Sequence, residues 1–430
     1  SMFDEFVEPS GVITTMLYAS PALKVTHRIV RLNYATPTFM RAPGESSGSF
    51  ALESAMDELA YEVALDPIEL RLRNYAEMDP TEQKPFSSKS LRECYRVGAA
   101  SFGWSTRNPK VGSMRDGRQL IGMGMATASY PTNRSKAAAS ARLMPDGTAV
   151  VRSAGVDIGT GAYTAFSQIS AETLGISVDR VKFELGDSSY PEAPVAGGSQ
   201  LTASVGSAVK LAALDARAKL IALAVADRRS PLFGTTASDL DAVDGRLFVR
   251  AQPSKGETLA AIVTRSGAPV EGMSSSAPGA EKEAYSMHAF GAQFAMVRVD
   301  PDLGTVRIVK QVGAFASGRI INAKTARSQY LGGMVFGVGM ALLEETRPDE
   351  RTGRFMNANL GDYLVPVHAD MGAMEAIIVP EDDPHVNPVG VKGIGEIGIV
   401  GAAAAIANAV YHATGKRIRD LPIAPEKLLA

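Results

Sequence analysis

Hydrophobic and polar positions change period several times along the chain, and each change predicts a different element. Residues 11–36 alternate through VITTMLYAS and VTHRIVRLNYA, which predicts strands. A loop, TPTFMRAPGESSG, follows. In FALESAMDELAYEVAL, Leu52, Met56, Leu59 and Val63 recur at helical spacing. Asp66-Pro67-Ile68-Glu69 then places a capping residue, a proline at the first helical position and a glutamate at the third, opening the helix IELRLRNYAE. ARLMPDGTAVVRSAG predicts a hairpin turning at Asp146-Gly147. DIGTGAYT leads into the helix AFSQISAETLG, ended by Gly175, and VKFEL predicts a strand. The loop PEAPVAGGSQ precedes a long, Ala-rich, buried helix from residue 202 to about 229. Residues 229–280 are rich in Ser, Gly and Pro with weak patterning, which predicts a surface excursion.

Beyond residue 280 the layout recurs. QFAMVRVDPDLGTVRIVKQV is strand–turn–strand, ARSQYLGGMVFGVGMALLEE a helix of small residues, MEAIIVP a strand. A Gly-rich loop and the helix AAAAIANAVYHAT close the pattern. Two copies of "hairpin, loop, helix, strand, Gly-rich loop, Ala-rich helix" predict an α+β protein of two similar mixed α/β subdomains packed together. Residues 105–118 form a polar break. The expected division is 1–105, 106–280 and 281–430, the last carrying the loop Gly390–Gly401.

Composition narrows the chemistry. The 430 residues allow two or three domains with substantial cores. Formal net charge is −2, too weak a field for nucleic acid. Apolar runs are broken before the ~20 residues needed to span a bilayer. The single cysteine, Cys94, forms no intrachain disulfide. The five histidines are scattered, so no protein-ligated metal is expected. Ser1-Met2 reads as a remnant of tag cleavage, and the direct start on FDEFVEPSG as the middle of a larger protein.

Four Gly-rich stretches stand out: Arg41-Ala42-Pro43-Gly44, Gly159-Thr160-Gly161, Gly197-Gly198-Ser199-Gln200 and GVKGIGEIGIVG. Three precede helices, where glycine lets backbone N–H groups approach an anion. One alone would be an ordinary tight turn; several, carrying Thr, Ser and Gln, point to a phosphate- or pterin-type ligand where the subdomains meet. GIGEIG also fits a dinucleotide-binding G-x-G-x-x-G turn. The chain after it is too short for the βαβ unit that reading needs, and Glu396 would oppose a pyrophosphate. A carboxylate framed by glycines suits a general base; a glutamate capping its own helix is the alternative.

TPTFMRAPGE with FALESAMDELA, DIGTGAYT, GGSQLTASVGSAV, GRIINAKTARSQYLGG and GVKGIGEIGIVGAAAAIANAVYHATGKRIRDLP together resemble the molybdenum-binding subunit of the xanthine dehydrogenase/aldehyde oxidase family, in its bacterial aldehyde-oxidase-like branch. The resemblance runs from about residue 6 to the C-terminus. It implies molybdopterin, in bacteria often the cytosine dinucleotide, carrying a molybdenum that needs no protein ligand. It also implies oxidation of aldehydes or N-heterocycles with water-derived oxygen, hydride passing to molybdenum. On this resemblance Glu396 is the general base. Arg41 and Ala42 lie in the active-site loop, and Pro43 replaces an aromatic residue that stacks on purines in xanthine-oxidising relatives. Gly159, Thr160 and Gly161 contact the cofactor, with Thr160 replacing a glutamine. Gln200, Thr202, Ala203 and Ser204 bind the pterin or its nucleotide tail. Arg134, after an apparent strand, is placed to steer a polar substrate, a surface arginine being the alternative. His288 reads as a core or surface position.

The family's N-terminal half, with its G-G-x-F-G-x-K type loop, has no counterpart here. The implied partners are therefore that half, an iron–sulfur subunit, an FAD subunit and a small-molecule substrate, with no nucleic acid and no membrane. The isolated chain is expected to be inactive. The compartment implied is cytoplasmic, with periplasmic co-export alongside a partner as the alternative. A non-catalytic assembly domain of the same fold is the competing reading, and an NAD-binding protein the third.

Overall fold

A computed structural model of the chain describes residues 6–30, 32 and 36–429. Helices α1 (Glu45–Glu62), α2 (Pro67–Arg73) and α3 (Leu91–Phe102) lead into β1 (Arg115–Asp116) and β2 (Gln119–Pro131). A first unit follows: β3 (Ala137–Leu143), β4 (Ala149–Arg152), α4 (Ala162–Leu174), β5 (Val181–Glu184) and α5 (Ser207–Ala226), the last entered through a π-helical turn, Thr202–Gly206. Then come β6 (Leu240–Val243), β7 (Arg246–Val249), β8 (Gln252–Thr258), α6 (Leu259–Ser266), β9 (Val270–Ser276) and α7 (Glu281–Ala284). The second unit contains β10 (His288–Val299), β11 (Val306–Ala316), α8 (Ala323–Leu342), β12 (Ala373–Ile378), α9 (Ile397–Val400) and α10 (Ala402–Thr414), before α11 (Pro425–Leu429).

The repeated layout is visible in the sheets. One has the order β5-β4-β3-β9 and the other β12-β11-β10-β2-β1. In each, a hairpin pairs antiparallel with a fourth strand on one side and parallel with the post-helix strand on the other. The fourth strands are exchanged. β2 precedes β3 in the chain but pairs with β10; β9 precedes β10 but pairs with β3. The sheets therefore do not part at a single point such as 280/281, because segment 106–280 contributes β2 to the second sheet. Each Ala-rich helix lies on its sheet's hairpin and exchanged strand, and glycine permits the approach. A Cβ on Gly122 or Gly124 of β2 would overlap the α10 backbone at Ala409 and Ala405; one on Gly272 of β9 would overlap α5 at Ala212 and Ala216.

Two expectations fail. Residues 11–30 form no strand. Val12–Thr15 is a 3₁₀ turn, and Val25, Ile29 and Val30 are solvent-exposed; residues 31 and 33–35 lie outside the described residues. Alternation makes a strand only where a neighbour supplies a ladder. Residues 229–280 are not a featureless excursion: they form the sheet β6-β7-β8, α6 and β9. Their strands are short, and the glycine and serines of VEGMSSS hid the pattern. Asp66 caps α2 as expected, accepting from the Ile68 N–H at 2.8 Å. Residues 397–414 are long and apolar enough to cross a membrane but are 89% buried within the fold.

Buried polar groups pin the second unit. His412 in α10 accepts from the Met123 N–H at Nδ1 (3.0 Å), while Nε2 faces the Asn108 carbonyl (2.7 Å). An N–H can only donate and a carbonyl only accept, so the ring is the neutral Nε2–H tautomer. Burial, then the Arg107 charge, lowers its pKa to about 4. Burial does the same to His288, against the pull of Asp79.

Loop 380–396 hangs on Lys392. Its buried ammonium lies 3.0 Å from Glu381 and 3.3 Å from Asp383, both also buried, and donates to Ser88 Oγ at 2.7 Å. Glu381 accepts from the backbone N–H groups of Ser90 and Gly318, and Asp383 from the Ser87 and Ser88 hydroxyls. Burial opposes ionisation of Asp383, but these bonds and Lys392 hold it below its ordinary pKa. The Asn387 side chain accepts from Val389, Gly390 and Val391 and donates to the Val391 carbonyl, closing the loop on itself.

A histidine whose pKa falls from 6.5 to about 4 on folding contributes stability that is complete above pH 6.5 and is lost as pH falls toward 4. His412→Gln retains one acceptor and one donor without titrating. The wild type should lose on the order of 3 kcal/mol relative to this variant across that window, read as a growing difference in urea midpoints; parallel pH curves would contradict the assignment. Lys392→Met leaves two buried carboxylates unpaired and should cost roughly 3–5 kcal/mol in urea unfolding at pH 7.

Candidate active site

The two units meet at a cavity of about 510 Å³. Loops 158–161 and 196–202 of the first unit form one side; residues 319–329 and loop 391–396 of the second form the other, with Arg41 at the edge. Glu396 lines it. Lys392 and Asn387 fix the loop before it, and α9 begins just after it. The glycines around it serve close approach. A Cβ on Gly393 or Gly395 would press on Ser199, and one on Gly398 on the α8 backbone at Tyr330 and Gly333. Only Gly390 has a positive φ (78°), at the turn where its carbonyl accepts from the Arg319 N–H.

Glu396 stands at the N-cap of α9, yet its side chain makes no cap hydrogen bond. Its Oε2 instead accepts from the Ser199 hydroxyl at 2.6 Å, across the cavity from the other unit. The buried Tyr130 phenol at the end of β2 sits beside the same carboxylate; burial first, then Glu396, push its hydroxyl well above its ordinary pKa, so it remains a donor. Arg41 donates to the Gly395 carbonyl (2.6 Å) and the Gln329 carbonyl (2.9 Å), and its guanidinium lies 5.3 Å from the Phe336 ring. Burial lowers the Arg41 pKa while Glu396 opposes the shift.

The two glycine loops of the first unit differ. In Gly159-Thr160-Gly161 the N–H groups of both glycines donate to the Asp157 carboxylate (2.9 and 3.2 Å), as does Tyr163. Burial opposes, but these bonds hold Asp157 below its usual range. That loop thus offers the cavity its surface rather than free amides, its Thr160 hydroxyl also facing the Asp157 carboxylate at 3.5 Å. At Gly197-Gly198-Ser199, by contrast, the N–H groups have no hydrogen-bond partner among the described residues. Positive φ at Gly198 (68°) and Ser199 (54°) turns them into a concavity that suits an anion.

Of the residues singled out in the sequence, Arg41, Gly159, Thr160, Gly161, Gln200, Thr202 and Glu396 line the cavity. Five do not. Ala42 is fully buried, and the turn at Ala42 (φ 54°) and Gly44 (φ 94°) carries the chain into α1, leaving Arg41 at the cavity and Pro43 off it. Ala203 and Ser204 face the core, the Ser204 hydroxyl accepting from the Ser135 N–H. Arg134 is tied to Glu281 and Ser276 at 2.9 and 2.6 Å, an ion pair holding the start of α7 and away from the cavity. Ser199, Tyr130, Asn322, Gln329 and Phe336 went unmarked. Ser199 sat inside a quoted glycine stretch; nothing local linked Tyr130 to position 396.

The residues fit an anionic, metal-carrying cofactor. The open N–H concavity can take phosphate or pterin oxygens. Among the described residues no three His, Cys, Asp or Glu side chains group to hold a metal.

Comparison with known proteins agrees. A model described as "molybdopterin cofactor-binding domain" matches residues 97–372, and a second of the same description residues 3–75. The chain is 39% identical over 417 residues to the aldehyde oxidoreductase molybdenum-binding subunit PaoC of Escherichia coli O157:H7, covering 96% of this chain and 55% of that protein. It is 33% identical over 426 residues to a xanthine dehydrogenase molybdenum-binding subunit of the same organism, covering 96% and 56%. The fold matches quinoline 2-oxidoreductase from Pseudomonas putida 86 with a TM-score of 0.84 at 22% identity, over 98% of this chain and 56% of that one. The chain spans about half the length of the relatives it matches. With a single family model covering more than half of its residues, the chain belongs to the molybdopterin cofactor-binding domain family.

Proposed function

We propose that the chain supplies the cofactor-binding, Glu396-bearing part of a molybdenum hydroxylase that oxidises aldehydes or N-heterocycles. The observation that carries this is Glu396 held on the cavity wall by a hydroxyl from the opposite unit, next to open backbone donors. The bound molybdopterin, in the cytosine dinucleotide form, would supply the redox chemistry and activate a water-derived oxygen. The Gly197–Ser199 amides and Thr202 would hold its anionic groups. Arg41, fixed to the Gly395 and Gln329 carbonyls, keeps the Glu396 loop closed over the site. Glu396 takes the proton from the attacking oxygen as general base, its carboxylate oriented by the Ser199 and Tyr130 hydroxyls.

The relatives are named as molybdenum-binding subunits, which supports a multi-subunit assembly; in this proposal the partners are of the iron–sulfur and FAD type, with a further stretch of the large subunit closing the cavity. A cytoplasmic location, or periplasmic by co-export, goes with that assembly. In the assembled enzyme Glu396→Gln should lower kcat by roughly 10²–10⁴ with molybdenum still bound; unchanged turnover would favour an assembly role for the fold. The chain purified alone should hold less than stoichiometric molybdenum and give no turnover with an artificial acceptor. Full metal with turnover would overturn the dependence on further parts.

A further inference from the structure

A second carboxyl lies near the Glu396 loop, on the stretch whose Arg41 donates to the Gly395 carbonyl. Glu45, the first residue of α1, is only 5% exposed, and its Oε2 has no hydrogen-bond partner among the described residues. A buried carboxylate oxygen left open is costly when ionised and far less so when protonated. Its own backbone N–H eases ionisation, but the side chains facing it do not. Glu396 and Glu8 are both acidic, and the Tyr130 phenol senses Glu45 as well as Glu396. Arg41, four residues earlier, spends its guanidinium on the carbonyls of Gly395 and Gln329 and is electrostatically paired with Glu396. Glu8, in contrast, accepts from the Gly44 N–H (2.6 Å) and the Ser47 hydroxyl (3.0 Å). Glu396 borders the cavity and accepts from Ser199. Of the three carboxyls, Glu45 is the one with an open, buried oxygen.

We propose that Glu45 and Glu396 form an unequal carboxyl pair in which the buried Glu45 holds a proton and so places no like charge beside Glu396 at the cavity. Glu45 is thus a positioning residue acting through Glu396. In its neutral form it places no like charge near the base. Burial first, then the Glu396 and Glu8 charges, raise its pKa to about 7, which agrees with the geometry. The inference rests on the reading of Glu396 as base.

The test begins with the chain alone. Infrared spectra with ¹³C-labelled glutamate should show a protonated-carboxyl band at about pH 6. The band should vanish in Glu45→Gln and titrate at lower pH in Glu396→Gln, where the like charge is gone. A band indifferent to Glu45→Gln, or no band at that pH, overturns the proposal. If Glu45→Gln does not fold, the titration in Glu396→Gln decides alone: a displaced midpoint supports the pair and an unmoved one overturns it. In the assembled enzyme Glu45→Gln, a permanently neutral isostere, should keep kcat within about threefold while removing an inflection near pH 7 from the rate profile. An unchanged profile counts against the pair. Infrared results as expected with full turnover in Glu396→Gln would sink the base reading and leave the pair standing.

Discussion

The buried charge cluster of Lys392, Glu381 and Asp383 is the constraint on which the site depends. One ammonium and two carboxylates out of water are stable only while each is paired and hydrogen-bonded. Satisfying them draws in Ser87, Ser88, Ser90 and the backbone at Ser317–Gly318, so the segment before α3, the end of β11 and loop 380–396 are held as one body. Four residues beyond Lys392 stands Glu396. A base must be held to within a fraction of an ångström to act, and here its loop is fixed by charge pairing on one side and by the start of α9 on the other.

The exchange of β2 and β9 explains why a cavity lies between the units. Each sheet contains a strand that leads directly into the other unit's hairpin, so the halves cannot drift apart without breaking ladders in both sheets. The Ser199–Glu396 hydrogen bond crosses that junction, as does the contact of Gly161 with Thr325. Tyr130 reaches the same place because β2, although next to the first unit in sequence, is a strand of the second sheet. A first-unit serine and a second-sheet tyrosine thereby converge on one carboxylate.

Much of this was legible in the linear sequence. The Asp66-Pro67 start, the Asp146-Gly147 hairpin and the repeated layout are local signals that the structure agrees with; α1 also forms where Leu52, Met56, Leu59 and Val63 recur, although Leu59 and Val63 are exposed and Glu53, Asp57 and Ala60 form its buried face. GIGEIG could also be judged locally, since a glutamate does not belong against a pyrophosphate. Long-range placement was not legible. Residues 11–30 alternate but find no neighbouring strand, whereas VEGMSSS lacks a strand's pattern and forms one, because Gly272 must admit α5. Arg134, read as placed to steer a polar substrate or as a surface arginine, is paired with Glu281, 147 residues away.

Residue order and spacing were enough for the main helices and hairpins, the family resemblance and the candidacy of Glu396, since each depends on neighbours along the chain. What the glycines near Glu396 are for, and which groups surround it, depends on packing in three dimensions. The glycines are there because Ser199 and the α8 backbone lie against the loop, and Ser199 and Tyr130 reach the carboxylate from separate stretches of chain. Such contacts form because packing two intertwined sheets buries polar groups that must then satisfy one another, and no periodicity along the chain encodes which ones will meet.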